Sequence, residues 1–181
     1  CYADSPEGLN REHAIFGASR CVAVSPADTA PALVALDATM VVASSSGQRL
    51  IPAQDFFVGP ARDIVNMTVL NEGEILTAVR LPNAWSNAEF YFEKVADRNV
   101  WDFALVNIAA AIKVSGGAIE DARIVCGAVE CTPRRLDAVE NAIRGQQRSE
   151  QLAEQVASIA TDGARPLNYN QFKVPLMQNL V

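Results

Sequence analysis

Residues 74–94 constrain this chain more than any other stretch. From Glu74 to Leu81 the side chains alternate, with Ile75, Thr77, Val79 and Leu81 on one face of an extended chain and Leu76, Ala78 and Arg80 on the other. Period-two alternation predicts a half-buried strand. Pro82 cannot donate to a strand ladder and ends it. Asn83 to Ala88 has no apolar period and reads as a linker, after which an aromatic strand runs from Phe90 to Val95. This strand, stop and second strand divide the chain into two lobes, and a bound ligand is expected to touch both.

The 181 residues suffice for one domain or two small ones, and a chain of this size buries roughly 70% of its unfolded surface. A net charge of −6, with Arg134-Arg135 the only dense basic spot, argues against a nucleic-acid binder. That spot reads as solvated charge at a helix start. No apolar run approaches the ~18 residues of a membrane span. The chain begins with Cys1, and Asp4, Glu7, Arg11 and Glu12 interrupt any signal-like apolar region, so it reads as a piece of a longer or processed protein. Four cysteines are too few for a disulfide scaffold. Cys126 and Cys131 lie in apolar sequence and are expected as buried thiols, whereas Cys1 and Cys21 lie in loop sequence.

The local signals predict an α+β chain. Ser25, Pro26 and Asp28 suggest a capped helix start, with Ala30, Leu33, Val34 and Leu36 as its apolar stripe. Met40–Ala43 and Arg49–Ile51 form a predicted hairpin, Asp55–Phe57 a turn, and Val65–Val69 a short extended piece. Residues 102–114 carry both helical and strand signals. The Ser115-Gly116-Gly117 turn and the alternating return through Ile124, Cys126 and Ala128 favour strands. Helices are expected from Thr132-Pro133 to Gly145, from Ser149 through Ile159, and over the Tyr169–Val181 tail. The second lobe is thus three antiparallel strands followed by helices.

Three constellations could carry chemistry. The helix start near Asp28 favours an anion. Asp28 itself suits a hydroxyl donor such as a ribityl chain, or serves as a cap. Lys94 could present its ammonium to a polarised ring carbonyl, or lie at the surface. Cys1, His13 and Cys21 could contribute to a zinc site, though their spacing matches no zinc-finger pattern. They supply only two of the four thiolates usual for an iron–sulfur cluster. No dinucleotide fingerprint, P-loop or H-E-x-x-H motif is present.

Four segments stand out together: residues 25–38 (Ser25-Pro26-Ala27-Asp28 onward), 51–60 (Ile51-Pro52-Ala53-Gln54-Asp55 onward), Gly73 to Pro82, and Phe92-Glu93-Lys94-Val95. In order and spacing they resemble one family, the medium, FAD-binding subunits of molybdenum hydroxylases, which include the xanthine dehydrogenase and carbon monoxide dehydrogenase flavoproteins. Asp102 to Val106, Thr132-Pro133-Arg134 and the closing tail resemble that family's C-terminal domain.

The resemblance implies part of an FAD-binding lobe followed by a flavoprotein C-terminal domain. It implies a redox subunit that accepts electrons from [2Fe–2S] clusters on a small partner subunit. Those electrons would start at a molybdopterin centre on a large one. It makes Asp28, Leu76 and Lys94 flavin contacts. A branch similar to periplasmic aldehyde oxidoreductase and 4-hydroxybenzoyl-CoA reductase carries a [4Fe–4S] loop. Residues 1–21 resemble the end of that loop, which makes Cys1 and Cys21 two of its ligands. The expected division is 1–21 for the end of the loop, 22–82 for the second half of the FAD lobe, 83–88 for the linker and 89–181 for the C-terminal domain. The family's N-terminal FAD lobe, with its glycine loop, is not among these residues and becomes an expected partner. The cytoplasm is the expected compartment, with export alongside a partner as the alternative. A flavin-less docking scaffold is the competing function.

Overall fold

The computed structural model describes residues 1–181. It is an α+β structure built on two antiparallel sheets. An irregular arm leads to α1 (Thr29–Ala35). Strands β1 (Thr39–Ser44) and β2 (Gly47–Pro52), helix α2 (Ala53–Phe56) and strand β3 (Ile75–Arg80) follow, with sheet order β2-β1-β3. The second sheet contains β4 (Glu89–Val95), β5 (Val106–Ser115), β6 (Ala118–Gly127) and the two-residue β7 (Arg134–Arg135) in that order. Helices α3 (Asp137–Ile143), α4 (Glu150–Ala160) and α5 (Lys173–Leu180) complete the chain.

Alternation along β5 divides the molecule into layers. Val106, Ile108 and Ala110 join the core under α3, α4 and α5, whereas Ala109 joins Val34, Ala35, Met40 and Phe56 in the core beneath α1. Successive strand residues point to opposite faces. Lys94, opposite Asn107 in the ladder, therefore faces α1. Each fully buried Val, Ile or Leu contributes about 1.5–3 kcal/mol. The two-residue turn at Gly116 and Gly117, with φ of 58° and 84°, closes the β5–β6 hairpin as its glycines predict.

Several expectations are corrected. The first helix begins at Thr29, not after Ser25, because the Ser25 N–H is engaged by the Glu130 carbonyl at 3.3 Å. Leu33 and Leu36 are only half-buried, and Pro31 and Ala35 are buried in their place. Asp55 and Phe56 belong to α2, and residues 65–69 hold only the single bridge Phe57–Thr68. Strand β3 has neither face buried: all six residues are exposed, because it is the sheet edge and no element of this chain covers it.

Residues 83–88 are not a bare linker. They form a 3-10 turn over Asn83–Trp85, and Trp85 is buried between the lobes. Thr132-Pro133 starts no helix. Arg134 and Arg135 pair with Cys126 and Val125 as β7, and Asp137 begins α3. The two arginines are not solvated either. Arg134 lies 3.9 Å from the Phe16 ring centroid, and Arg135 binds the buried Glu140 carboxylate at 2.7 Å. The tail helix starts at Lys173 rather than Tyr169.

Candidate functional site

The structure brings Asp28 and Lys94 together across the two lobes. Lys94 Nζ donates to Asp28 Oδ2 at 2.6 Å and to the Asp102 carbonyl at 2.7 Å. Asn107 Nδ2 donates to Asp28 Oδ1 at 3.2 Å. Asp28 occupies the N-cap position of α1, yet its side chain caps nothing. Both carboxylate oxygens face the second sheet instead. The alternation that sets Lys94 on the α1 side of β4 and the approach of α1 to β5 and β6 together produce the bridge.

The ion pair borders an open cavity of about 510 Å³ lined by Pro26, Asp28, Arg98, Trp101, Asp102 and Phe103. Trp101 is 93% exposed with φ of 56°, a left-handed conformation uncommon for a large side chain. The loop is held by Arg98 Nη2 donating to the Trp101 carbonyl at 2.6 Å and by Asp102 Oδ2 accepting from the Arg98 N–H at 2.9 Å. On the same face, Ala32, Ala35, Leu36, Phe90, Phe92 and Ala109 help line an apolar hollow of about 300 Å³ between α1 and β4. The site therefore offers a charged end, an apolar side and exposed aromatic rims, features common to pockets that hold a planar cofactor.

Leu76 lies on β3 opposite Val42 and is partly exposed. Cys1 is exposed and Cys21 half-buried, both as free thiols, and the Ala23 N–H approaches Cys21 Sγ at 3.5 Å. No three His, Cys, Asp or Glu side chains are grouped to hold a metal ion, so the zinc site on Cys1, His13 and Cys21 is not assembled. Cys126 and Cys131 are buried as expected, and burial pushes the Cys126 thiol up to about 12.

Asn107 went unrecognised in the sequence, where it is one polar residue inside an apolar strand. Its lone polarity amid Val106, Ile108, Ala109 and Ala110 was the available signal.

Residues 10–84 match the FAD binding domain in molybdopterin dehydrogenase, and residues 91–180 match the CO dehydrogenase flavoprotein C-terminal domain. This pair of domains matches the FAD-binding medium-subunit family of the molybdenum hydroxylases. This chain is 34% identical over 172 residues to the aldehyde oxidoreductase FAD-binding subunit PaoB of Escherichia coli, covering 94% of this chain and 51% of the relative. It is 34% identical over 148 residues to the glyceraldehyde dehydrogenase medium chain of Sulfolobus acidocaldarius, covering 80% of this chain and 50% of the relative. It superimposes on quinoline 2-oxidoreductase from Pseudomonas putida 86 with a TM-score of 0.76 at 30% identity, covering 87% of this chain and 54% of that one. The chain thus spans about half the length of the relatives it matches.

Proposed function

We propose that this chain is the second part of an FAD-binding electron-transfer subunit of a molybdenum-containing hydroxylase or dehydrogenase. In this reading it passes electrons from [2Fe–2S] clusters on a small partner to flavin and onward to an external acceptor. A large partner carries the molybdopterin centre, and the preceding FAD lobe completes the flavin site. The Asp28–Lys94 bridge beside the cavity carries this reading.

The residues fit one end of a flavin. Asp28 retains lone pairs for a ligand hydroxyl or N–H, Lys94 has a third N–H beyond its two bonds, and Leu76 offers an exposed apolar side chain. Bound flavin supplies the redox chemistry, and the protein supplies binding, orientation and electrostatics. Asp28 and Lys94 together present a nearly neutral, hydrogen-bonding edge. The aromatic rim of Trp101 and Phe103 adds flat apolar surface beside it.

We assign Cys1 and Cys21 as two ligands of a [4Fe–4S] cluster. These two thiols are half of the set such a cluster needs, and the remaining two come from outside these residues. The functional division follows 1–21, 22–82, 83–88 and 89–181. The cytoplasm is the compartment in this reading, with export beside a partner as the alternative. No helix is long and apolar enough to cross a membrane.

The test is Lys94→Met in the assembled complex. The expected result is about tenfold weaker FAD binding, the loss of one charge-assisted contact, together with slower flavin reduction. Unchanged FAD affinity and reduction rate would remove Lys94 from the flavin site, and an assembled complex without flavin would favour the docking scaffold. Cys21→Ser should lower cluster iron, and iron content equal to wild type would refute the ligand assignment.

A further inference from the structure

We propose that Asn107 is a positioning residue that holds Asp28 in one orientation, seated in a space that Gly127 leaves by having no side chain. This rests on the flavin reading above and deepens it. Asn107 is only 2% exposed, and its Nδ2 donates to Asp28 Oδ1 while its own Oδ1 has no partner. A buried amide oxygen without a partner costs stability. The neighbours on this face of β5, Ala109 and Ala111, show that a small apolar side chain is accommodated there. What distinguishes Asn107 from them is the N–H it gives to Asp28.

The register explains how the amide fits. Lys94, Asn107 and Gly127 lie in one row across β4, β5 and β6. A Cβ on Gly127 would overlap Asn107 Oδ1 and come within 2.7 Å of Pro31 Cγ on α1. The row thus runs from a long cation through an amide to an empty position, with the start of α1 lying over it. Asp28 is divided between the first two members, Oδ2 to Lys94 and Oδ1 to Asn107. With both oxygens held, its rotamer is fixed before a ligand arrives, and the ordering cost of binding falls.

The experiment compares wild type with Asn107→Leu in the assembled flavoprotein. Leu has nearly the branched shape of Asn but no donor. The FAD dissociation constant and visible spectrum are read alongside the melting temperature, with and without Asp28→Ala, which removes the acceptor. Asn107→Leu should bind FAD about tenfold more weakly than wild type at a similar melting temperature. The difference should vanish in the Asp28→Ala background, because Asn107 acts through that carboxylate. Equal affinities for wild type and Asn107→Leu, or a difference that persists with Asp28→Ala, would overturn the positioning role while leaving the flavin site intact. If Asp28→Ala alone leaves FAD affinity unchanged, the flavin reading fails, and this role fails with it.

Discussion

Lys173 should make the stability of this chain rise with pH. Its side chain is wholly buried, and Nζ donates to the Glu12 carbonyl at 2.9 Å and the Ala128 carbonyl at 2.7 Å. Burial pushes its pKa down from 10.5 to about 8, with the Glu12 charge opposing the shift and the Arg11 charge adding to it. The folded pKa lies below the unfolded one, so between about pH 8 and about pH 10.5 the unfolded chain binds more protons. Stability therefore increases with pH across that window. A shift of this size corresponds to about 3 kcal/mol, spent below pH 8 on keeping a buried ammonium.

Lys173→Met removes that cost but strands the buried Ala128 carbonyl, worth about 1–3 kcal/mol, and the partly buried Glu12 carbonyl, worth less. Near pH 7 the two effects oppose, and the variant should be close to wild type in stability. Near pH 10 wild type no longer carries the charge, and the variant should be less stable by an additional ~3 kcal/mol. Denaturant unfolding of both proteins at the two pH values measures this directly, since other titrating groups cancel in the difference. A difference between variant and wild type that is the same at both pH values would refute the reasoning.

Two further outcomes follow from the contacts. Trp85 Nε1 donates to Asp37 Oδ2 at 2.8 Å, with Lys113 and Arg123 over its ring. Trp85→Phe should cost about 1.5–3 kcal/mol by losing the hydrogen bond to a charged partner, and Trp85→Ala about 3–5 kcal/mol. Thermal unfolding checks both, and a Trp85→Phe variant as stable as wild type would mean that the indole N–H contributes nothing. Ser149 accepts from the Leu152 N–H at 3.1 Å, so Ser149→Ala should lower stability by about 1 kcal/mol, measured by denaturant midpoint.

Where a signal was purely local, the sequence showed the structure. The β1–β2 hairpin, the Gly116-Gly117 turn, the Ser149 cap and the strands across 106–127 all follow from turn chemistry and alternation. What was hidden depended on partners distant in sequence. Asp28 looks like a cap until Lys94, far along the chain, takes its carboxylate. The alternation of β3 promised a buried face, but an edge strand gains one only when another element covers it. Thr132-Pro133 has the chemistry of a helix start. The ladder from Arg134 and Arg135 to β6, and the Arg135–Glu140 pair, prevailed over that local preference. The arm over residues 1–21 carries only turn chemistry and a short mixed segment. It is fixed by C-terminal residues: Asn10 Oδ1 accepts from the Tyr169 N–H, and Asn170 Nδ2 donates to the His13 carbonyl. Such stitches between polar side chains and backbone carry no period for a sequence reader to find.

The most direct test of the account is an experimental structure of the assembled flavoprotein with FAD bound. The account predicts flavin atoms within hydrogen-bonding distance, about 3 Å, of the Asp28 carboxylate or Lys94 Nζ, beside the cavity rimmed by Trp101 and Phe103. A flavin seated elsewhere, with the Asp28–Lys94 bridge facing only solvent or a partner protein, would contradict it.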